Sequence, residues 1–354
     1  MTTFLATVFV LGVLIFVHEL GHFILAKWAG IRVERFSLGF PPKMIGKTIG
    51  ETEYCLSWIP LGGYVKMAGE NPEDGEATGD PREFQSKSVG ARSLVILAGP
   101  VMNFVTAIFL FIFVFFVWGR PVPDTERVIV GAIMNGSPAE EIGLRNGDVI
   151  VAVDHEKVFT FEDMAHRIHS RPGDTLEIVW WRGEDLYSAP AVTMVDTVVT
   201  PEGTDSVIGM IGVGMGYNYE RVGFVGSISA GVTRTFDVTF AMFKFLGQLI
   251  SGAVSIKMVS GPVGIAQVAG SAAREGLDML LSFMAILSVN LAILNILPIP
   301  VLDGGHLVFL VAEKIRRRPL TLKQRAIAQQ IGLVLLLMLI ATVTYHDIAR
   351  IFSG

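Results

Sequence analysis

The chain has 354 residues, of which 51% are hydrophobic and only 17% charged, with a formal net charge of −5. Soluble domains carry roughly 25% charged residues, so this composition excludes both an ordinary soluble globular protein and a disordered chain. The acidic balance argues against nucleic acid as a partner. A single cysteine, Cys55, rules out an internal disulfide framework and any multi-cysteine zinc site.

The first apolar stretch covers residues 4–28. No basic segment precedes it, and His18, Glu19 and His22 interrupt it, so it reads as a membrane helix rather than a signal peptide. Residues 94–117, 279–302 and 326–345 are uncharged, and each is long enough to cross a bilayer. Lys27, Arg32 and Arg35 follow the first span, and Lys87 and Arg92 precede the second. Lys314, Arg316, Arg317, Arg318, Lys323 and Arg325 separate the last two. Cytoplasmic loops collect Lys and Arg, so these loops are expected inside, with the N-terminus, residues 118–278 and the C-terminus outside. Residues 236–256 are also apolar but contain Asp237 and Lys244. A fifth crossing there would move the six basic residues of the last loop outside, so this stretch reads as an amphipathic helix lying on the membrane lipid.

The expected fold is therefore a membrane α-helical protein with four transmembrane helices and one inserted β-rich domain. Residues 1–117 hold the first two spans, 118–220 the inserted domain, 221–278 the surface helix and 279–354 the last two spans. Within the first part, Tyr54, Leu56 and Trp58 alternate with polar or small residues. Pro60-Leu61-Gly62-Gly63 then turns and Tyr64-Val65-Lys66-Met67 returns, which predicts a β-hairpin. Residues 118–220 carry 7 basic and 17 acidic groups, net −10. Short β-type runs at 127–133, 149–153, 175–181 and 191–195 and a helix at 161–170 are expected there. Ser137-Pro138-Ala139, Gly143-Leu144 and Gly147-Asp148-Val149-Ile150 resemble the bacterial PDZ domain, a module that adds an extended peptide or protein ligand to a sheet edge. Residues 208–214 would be that edge, unless their glycines only make turns.

The sharpest chemical signal is His18-Glu19-Leu20-Gly21-His22. Residues i and i+4 share one helix face, so two imidazoles can grip one metal, with Glu19 beside them to act on a water. Ionisable groups inside a membrane helix are costly, which makes them functional by default. A catalytic zinc site usually takes three protein ligands. A metzincin would have its third histidine at position 28, which is Trp28. Asp303, in Leu302-Asp303-Gly304-Gly305-His306, is the best candidate, with Pro298 and Pro300 expected to unwind the helix before it. His306 is the alternative. In the four-span topology the first and third spans both run inward, which brings His18, His22 and Asp303 to similar depth on the cytoplasmic side.

These motifs, with Asn290 and Asn295 in the third span and Gly99-Pro100-Val101-Met102-Asn103 in the second, resemble the site-2 protease family of intramembrane zinc proteases and its bacterial RseP-type branch. The resemblance implies a Zn2+ ion on His18, His22 and Asp303, with Glu19 as the catalytic acid/base. It implies cleavage within membrane-spanning segments of other proteins, such as anti-sigma factors or remnant signal peptides, in the bacterial inner membrane with the PDZ domain periplasmic. It also implies a hairpin dipping into the membrane beside the metal, and it favours substrate or active-site roles for Asn290 and Asn295. The edge of that hairpin, with Gly62, Gly63 and Tyr64, is expected to pair with the unwound substrate strand, unless the hairpin lies at the surface without substrate contact. Asn103 is read as a packing residue. The RseP-type pattern has two PDZ domains in tandem, and this chain has room for one. Two rival readings are a non-catalytic membrane scaffold that binds partners through its PDZ domain, and a zinc transporter. Glu19 speaks against the first, and the lack of a repeated symmetric binding pair against the second.

Overall fold

The computed structural model describes the chain except residues 71–78, 125, 135, 200–204, 319 and 354. It divides into two compact units, one made of residues 1–114, 228–246 and 255–354 and the other of 115–227 and 247–254.

In the first unit, helix α1 spans Thr2–Trp28. Its buried face is a stripe of every fourth residue: Ala6, Val10, Leu14, His18, His22 and Ala26. The outward face carries exposed Phe4, Leu5, Phe9 and Ile24, which lipid would cover. Strands β1, Val33–Ile49, and β2, Thr52–Met67, follow. Their register is not that of a simple hairpin. Residues 33–38 pair antiparallel with 63–67, while 35–38 run parallel beside 53–56. Residues 43–49 then pair antiparallel with 52–57. The result is four ribbons in the order 63–67, 33–38, 52–57, 43–49. The expected direct pairing of Tyr54–Trp58 with Tyr64–Met67 is thus corrected: residues 33–38 lie between them. The apolar positions Val33 and Phe36 explain this, since they bury with Val65, Met67, Ala26, Val95 and Leu310 in one core.

Helix α2, Val89–Val117, contains Pro100 within a run of high hydropathy. The second unit begins at its end and is β-rich. Its strands are β3, Arg120–Pro123; β4, Val128–Ile133; β5, Val149–Val153; β6, Glu156–Lys157; β7, Thr175–Arg182; β8, Asp185–Val192; β9, Met194–Val199; β10, Asp205–Met210; β11, Val213–Met215; and β12, Tyr217–Glu220. Short helix α3, Pro138–Glu141, follows β4, and α4, Phe161–His169, follows β6. The main sheet runs β11-β4-β5-β7-β8, with β6 against β5. Its core holds Val128, Ile150, Met164, Ile168, Ile178 and Trp180. Ser137 caps α3 and Thr160 caps α4, each accepting from a backbone N–H of the first turn. Asp148 is buried against Arg182, which explains the Gly147-Asp148 signature as a structural pair. Two expected strands differ. The run at 191–195 is the junction of β8 and β9, and 208–214 breaks at Ile211-Gly212, with β10 pairing β9 and β11 pairing β4.

Helix α5, Phe224–Ser251, is longer than the expected surface helix and does not meet the length-and-hydropathy standard of a membrane span. Helix α6, Pro262–Glu275, was not anticipated. Its first turn is held by Asp347, a buried carboxylate that accepts the N–H groups of Gly261 and Gly264 at 3.1 and 2.8 Å. Helix α7, Leu277–Ile296, packs Met284 and Leu287 on Val10 and Leu14 of α1. It ends six residues earlier than the expected span. Pro298 lacks an N–H and disfavours helix at Leu297, so the chain leaves α7 in extended form. Helix α8, Asp303–Arg316, and helix α9, Leu322–Ser353, complete the unit. Among the described residues, four helices are long and apolar enough to cross a membrane: Thr2–Trp28, Val89–Val117, Leu277–Ile296 and Lys323–Ala349.

Candidate metal centre

Three side chains converge inside the first unit. His18 Nε2 and His22 Nε2 lie 3.1 Å apart. Asp303 Oδ2 is 3.1 Å from the first and 3.5 Å from the second. Among the described residues, His18, His22 and Asp303 form the one set of three such groups close enough to share an ion. The histidines arrive together because four residues advance α1 by about one turn. Asp303 arrives from another direction, as the first residue of α8 with extended Leu302 before it. A carboxylate in the first turn also suits the helix dipole. Gly304 permits the tight entry, since a side chain there would strike the carbonyl oxygens of Ile296 and Leu297 at 2.2 Å.

These residues fit a zinc ion. Ligands at about 2.0–2.1 Å in a tetrahedron stand about 3.3 Å from one another, close to the three separations seen. His22 Nδ1 lies 2.8 Å from the Val95 carbonyl, which can only accept, so Nδ1 carries the proton and Nε2 presents its lone pair. Asp303 Oδ2 is buried with no hydrogen bond. Gly99 on α2 leaves the space open: a Cβ there would lie 2.4 Å from His22 Nε2 and 2.7 Å from His18 Cε1. Gly21 lets the two helices approach, with the Ala98 carbonyl oxygen 2.3 Å from where its Cβ would be.

Glu19 faces the ribbon 63–67. Its carboxylate accepts a hydrogen bond from the Val65 N–H, and its Cγ lies 3.3 Å from where a Gly63 side chain would begin. Among the described residues that ribbon has 33–38 as its strand partner, and no second strand lies along its other edge, where Glu19 takes the Val65 N–H. Gly62 is packed under the Phe40 ring, and Tyr64 accepts from Arg35 at 3.1 Å. Asn290 and Asn295 are half-buried on α7. His306 stands one turn beyond Asp303, outside the three-atom cluster, against Phe309. It lines a cavity with Glu70, Arg92 and Arg325, where burial pushes the Glu70 carboxyl up to about 7. Asn103, read from sequence as packing, has its amide 3.3 Å from His18 Nδ1. Gly99 and Asn103 were visible as a sequence motif, but nothing local to it shows that α2 faces the two histidines.

An HExxH pair with a distant carboxylate on membrane-embedded helices defines a metallopeptidase class. The model of peptidase family M50 matches residues 6–339, and the chain belongs to that family. Zinc metalloprotease RasP of Oceanobacillus iheyensis is 31% identical over 99% of this chain and 100% of its own length. RasP of Geobacillus kaustophilus is 32% identical over 97% of each chain. An Agrobacterium fabrum protein reaches 35% over 98% of this chain and 95% of its own. Among solved structures, the PDZ domain of an SdrC-like protein from Listeria monocytogenes matches 27% of this chain and 90% of that one, at 23% identity and a TM-score of 0.21. The chain is a zinc metalloprotease of the site-2 protease type and a membrane protein.

Proposed function

We propose that the chain hydrolyses peptide bonds within transmembrane segments of single-span proteins, such as anti-sigma factors or remnant signal peptides, as a step of regulated intramembrane proteolysis. The observation that carries this reading is the placement of Glu19 between the metal-ligand cluster and a sheet edge that carries no second strand among the described residues. His18, His22 and Asp303 hold the zinc. Bound there, zinc supplies Lewis-acid polarisation of the scissile carbonyl and a water acidic enough to act near neutrality.

The chain's own groups supply the rest. A helical substrate hides its backbone in internal hydrogen bonds, so it must be held extended before attack. The edge of residues 63–67 offers backbone groups for strand addition, and Gly63 brings no side chain to it beside Glu19, while Gly62 adjoins it under the Phe40 ring. Tyr64 lies at the same edge, and Asn290 and Asn295 offer amides to the unwound segment. Glu19 takes the proton of the attacking water and delivers a proton to the leaving amide nitrogen.

The active site lies towards the cytoplasmic side of a bacterial inner membrane, and residues 118–220 form a periplasmic PDZ domain. The basic loops support this orientation, and edge strand β11 supports the peptide-binding role. Residues 221–278 form the surface region and 279–354 carry the last two spans. A Glu19→Gln variant tests the reading. It is expected to keep zinc and lose about 10²–10⁴-fold of cleavage on a membrane-inserted single-span substrate. Undiminished cleavage would overturn the role of Glu19 and mean that another group acts as the base.

A further inference from the structure

Asn103 sits on α2 with 1% of its surface exposed. Its Nδ2 is placed 3.3 Å from His18 Nδ1, and its Oδ1 is buried without a donor. The two ends of an amide are nearly indistinguishable in shape, and hydrogen bonding decides their assignment. As placed, the amide N–H would donate to Nδ1, which forces the ring proton of neutral His18 onto Nε2. That nitrogen faces His22 Nε2 and Asp303 Oδ2, and a protonated nitrogen has no lone pair for a metal. Turning the amide over lets Oδ1 accept the Nδ1–H of His18 and frees Nε2 for the metal. His22 is already held this way by the Val95 carbonyl. Ser288 on α7 donates to the Asn103 backbone carbonyl at 2.8 Å, which ties this point of α2 to α7.

We propose that Asn103 is a positioning residue: its Oδ1 accepts the Nδ1–H of His18 and so aims the Nε2 lone pair of His18 at the zinc. The inference rests on the reading of His18 as a zinc ligand. Partners that orient a ligating histidine typically carry 10–100-fold of metal affinity.

The test is zinc affinity of the full chain in detergent, by competition with a chromogenic chelator. Asn103→Leu keeps the γ-branched shape but cannot accept, and should weaken zinc about 10–100-fold. Asn103→Asp keeps an acceptor at that point and should stay within about threefold of the parent. Zinc held equally by Asn103→Leu and the parent would overturn the proposal, as would equal losses in both variants. A measurement on the unaltered chain stands apart from folding of the variants. In 15N-histidine spectra of the zinc-loaded protein, the signal removed by His18→Ala should show a proton on Nδ1, and a bare Nδ1 overturns the proposal. A His18→Ala chain that binds zinc as the parent does would instead refute the ligand reading itself.

Discussion

Gly99 shows how a residue without a side chain can define a site. The position its Cβ would take is 2.4 Å from His22 Nε2 and 2.7 Å from His18 Cε1. The two helices cannot approach or shift freely there, since Gly21 already packs on the Ala98 carbonyl. Gly99→Ala is therefore expected to lower zinc occupancy of the purified protein severely while the helices remain formed, as read by metal analysis beside circular dichroism. Full occupancy in that variant would mean that the metal lies elsewhere. At this scale the sequence was most informative where chemistry is local. That His18 and His22 lie side by side could be read from four-residue spacing alone. The contribution of Val95 could not, because a backbone carbonyl leaves no mark in a sequence. The contact between the Asn103 amide and His18 could not be read either, because 85 positions separate the two residues.

At the scale of elements, the apolar spans were legible from hydropathy and the sheet was not. The signal for residues 51–69 as a hairpin was real alternation, but alternation does not say which ribbon lies beside which. Register across β1 and β2 depends on burial against α1, α2 and α8, which only the folded chain shows. The third span was overextended for a related reason: hydropathy continues through Pro298 and Pro300 although helix geometry cannot. Helix α8 bears Asp303 and is anchored ten residues further on by Glu313, which binds Arg92 through two contacts of 3.1 and 2.5 Å. Both side chains are largely buried, and Arg325 of α9 approaches the same carboxylate at 3.8 Å. Glu313→Gln would strand a buried guanidinium, and is expected to cost about 3–5 kcal/mol of stability. The double replacement Arg92→Met with Glu313→Leu should recover most of that loss in denaturant unfolding of the detergent-solubilised protein. If the single and double variants are equally unstable, apolar packing rather than the ion pair fixes α8.

For the whole molecule, charge bias and ligand placement agree. The four-span topology that puts the basic loops inside also brings α1 and the α7–α8 junction to a common depth, and the three ligands do meet. Helix α5 fits this pattern, since its Asp237 and Lys244 keep it below the hydropathy of a span. Single cysteines in a Cys55→Ser background check the orientation. A membrane-impermeant maleimide added to spheroplasts should label a cysteine at Glu184 directly, and cysteines at Lys87 or Lys314 only after permeabilisation. The reverse pattern would contradict the proposed orientation.

The central claim is that one zinc sits on His18, His22 and Asp303 beside Glu19. Metal content of the purified full chain, measured beside Asp303→Ala and Glu19→Gln, tests it most directly. The expected result is about one zinc per chain in the parent and in Glu19→Gln, with zinc weakened or lost in Asp303→Ala, because three protein ligands are the usual complement of a catalytic site. Zinc retained in full by Asp303→Ala would contradict the third ligand and turn attention to His306. A folded parent without zinc would contradict the site altogether.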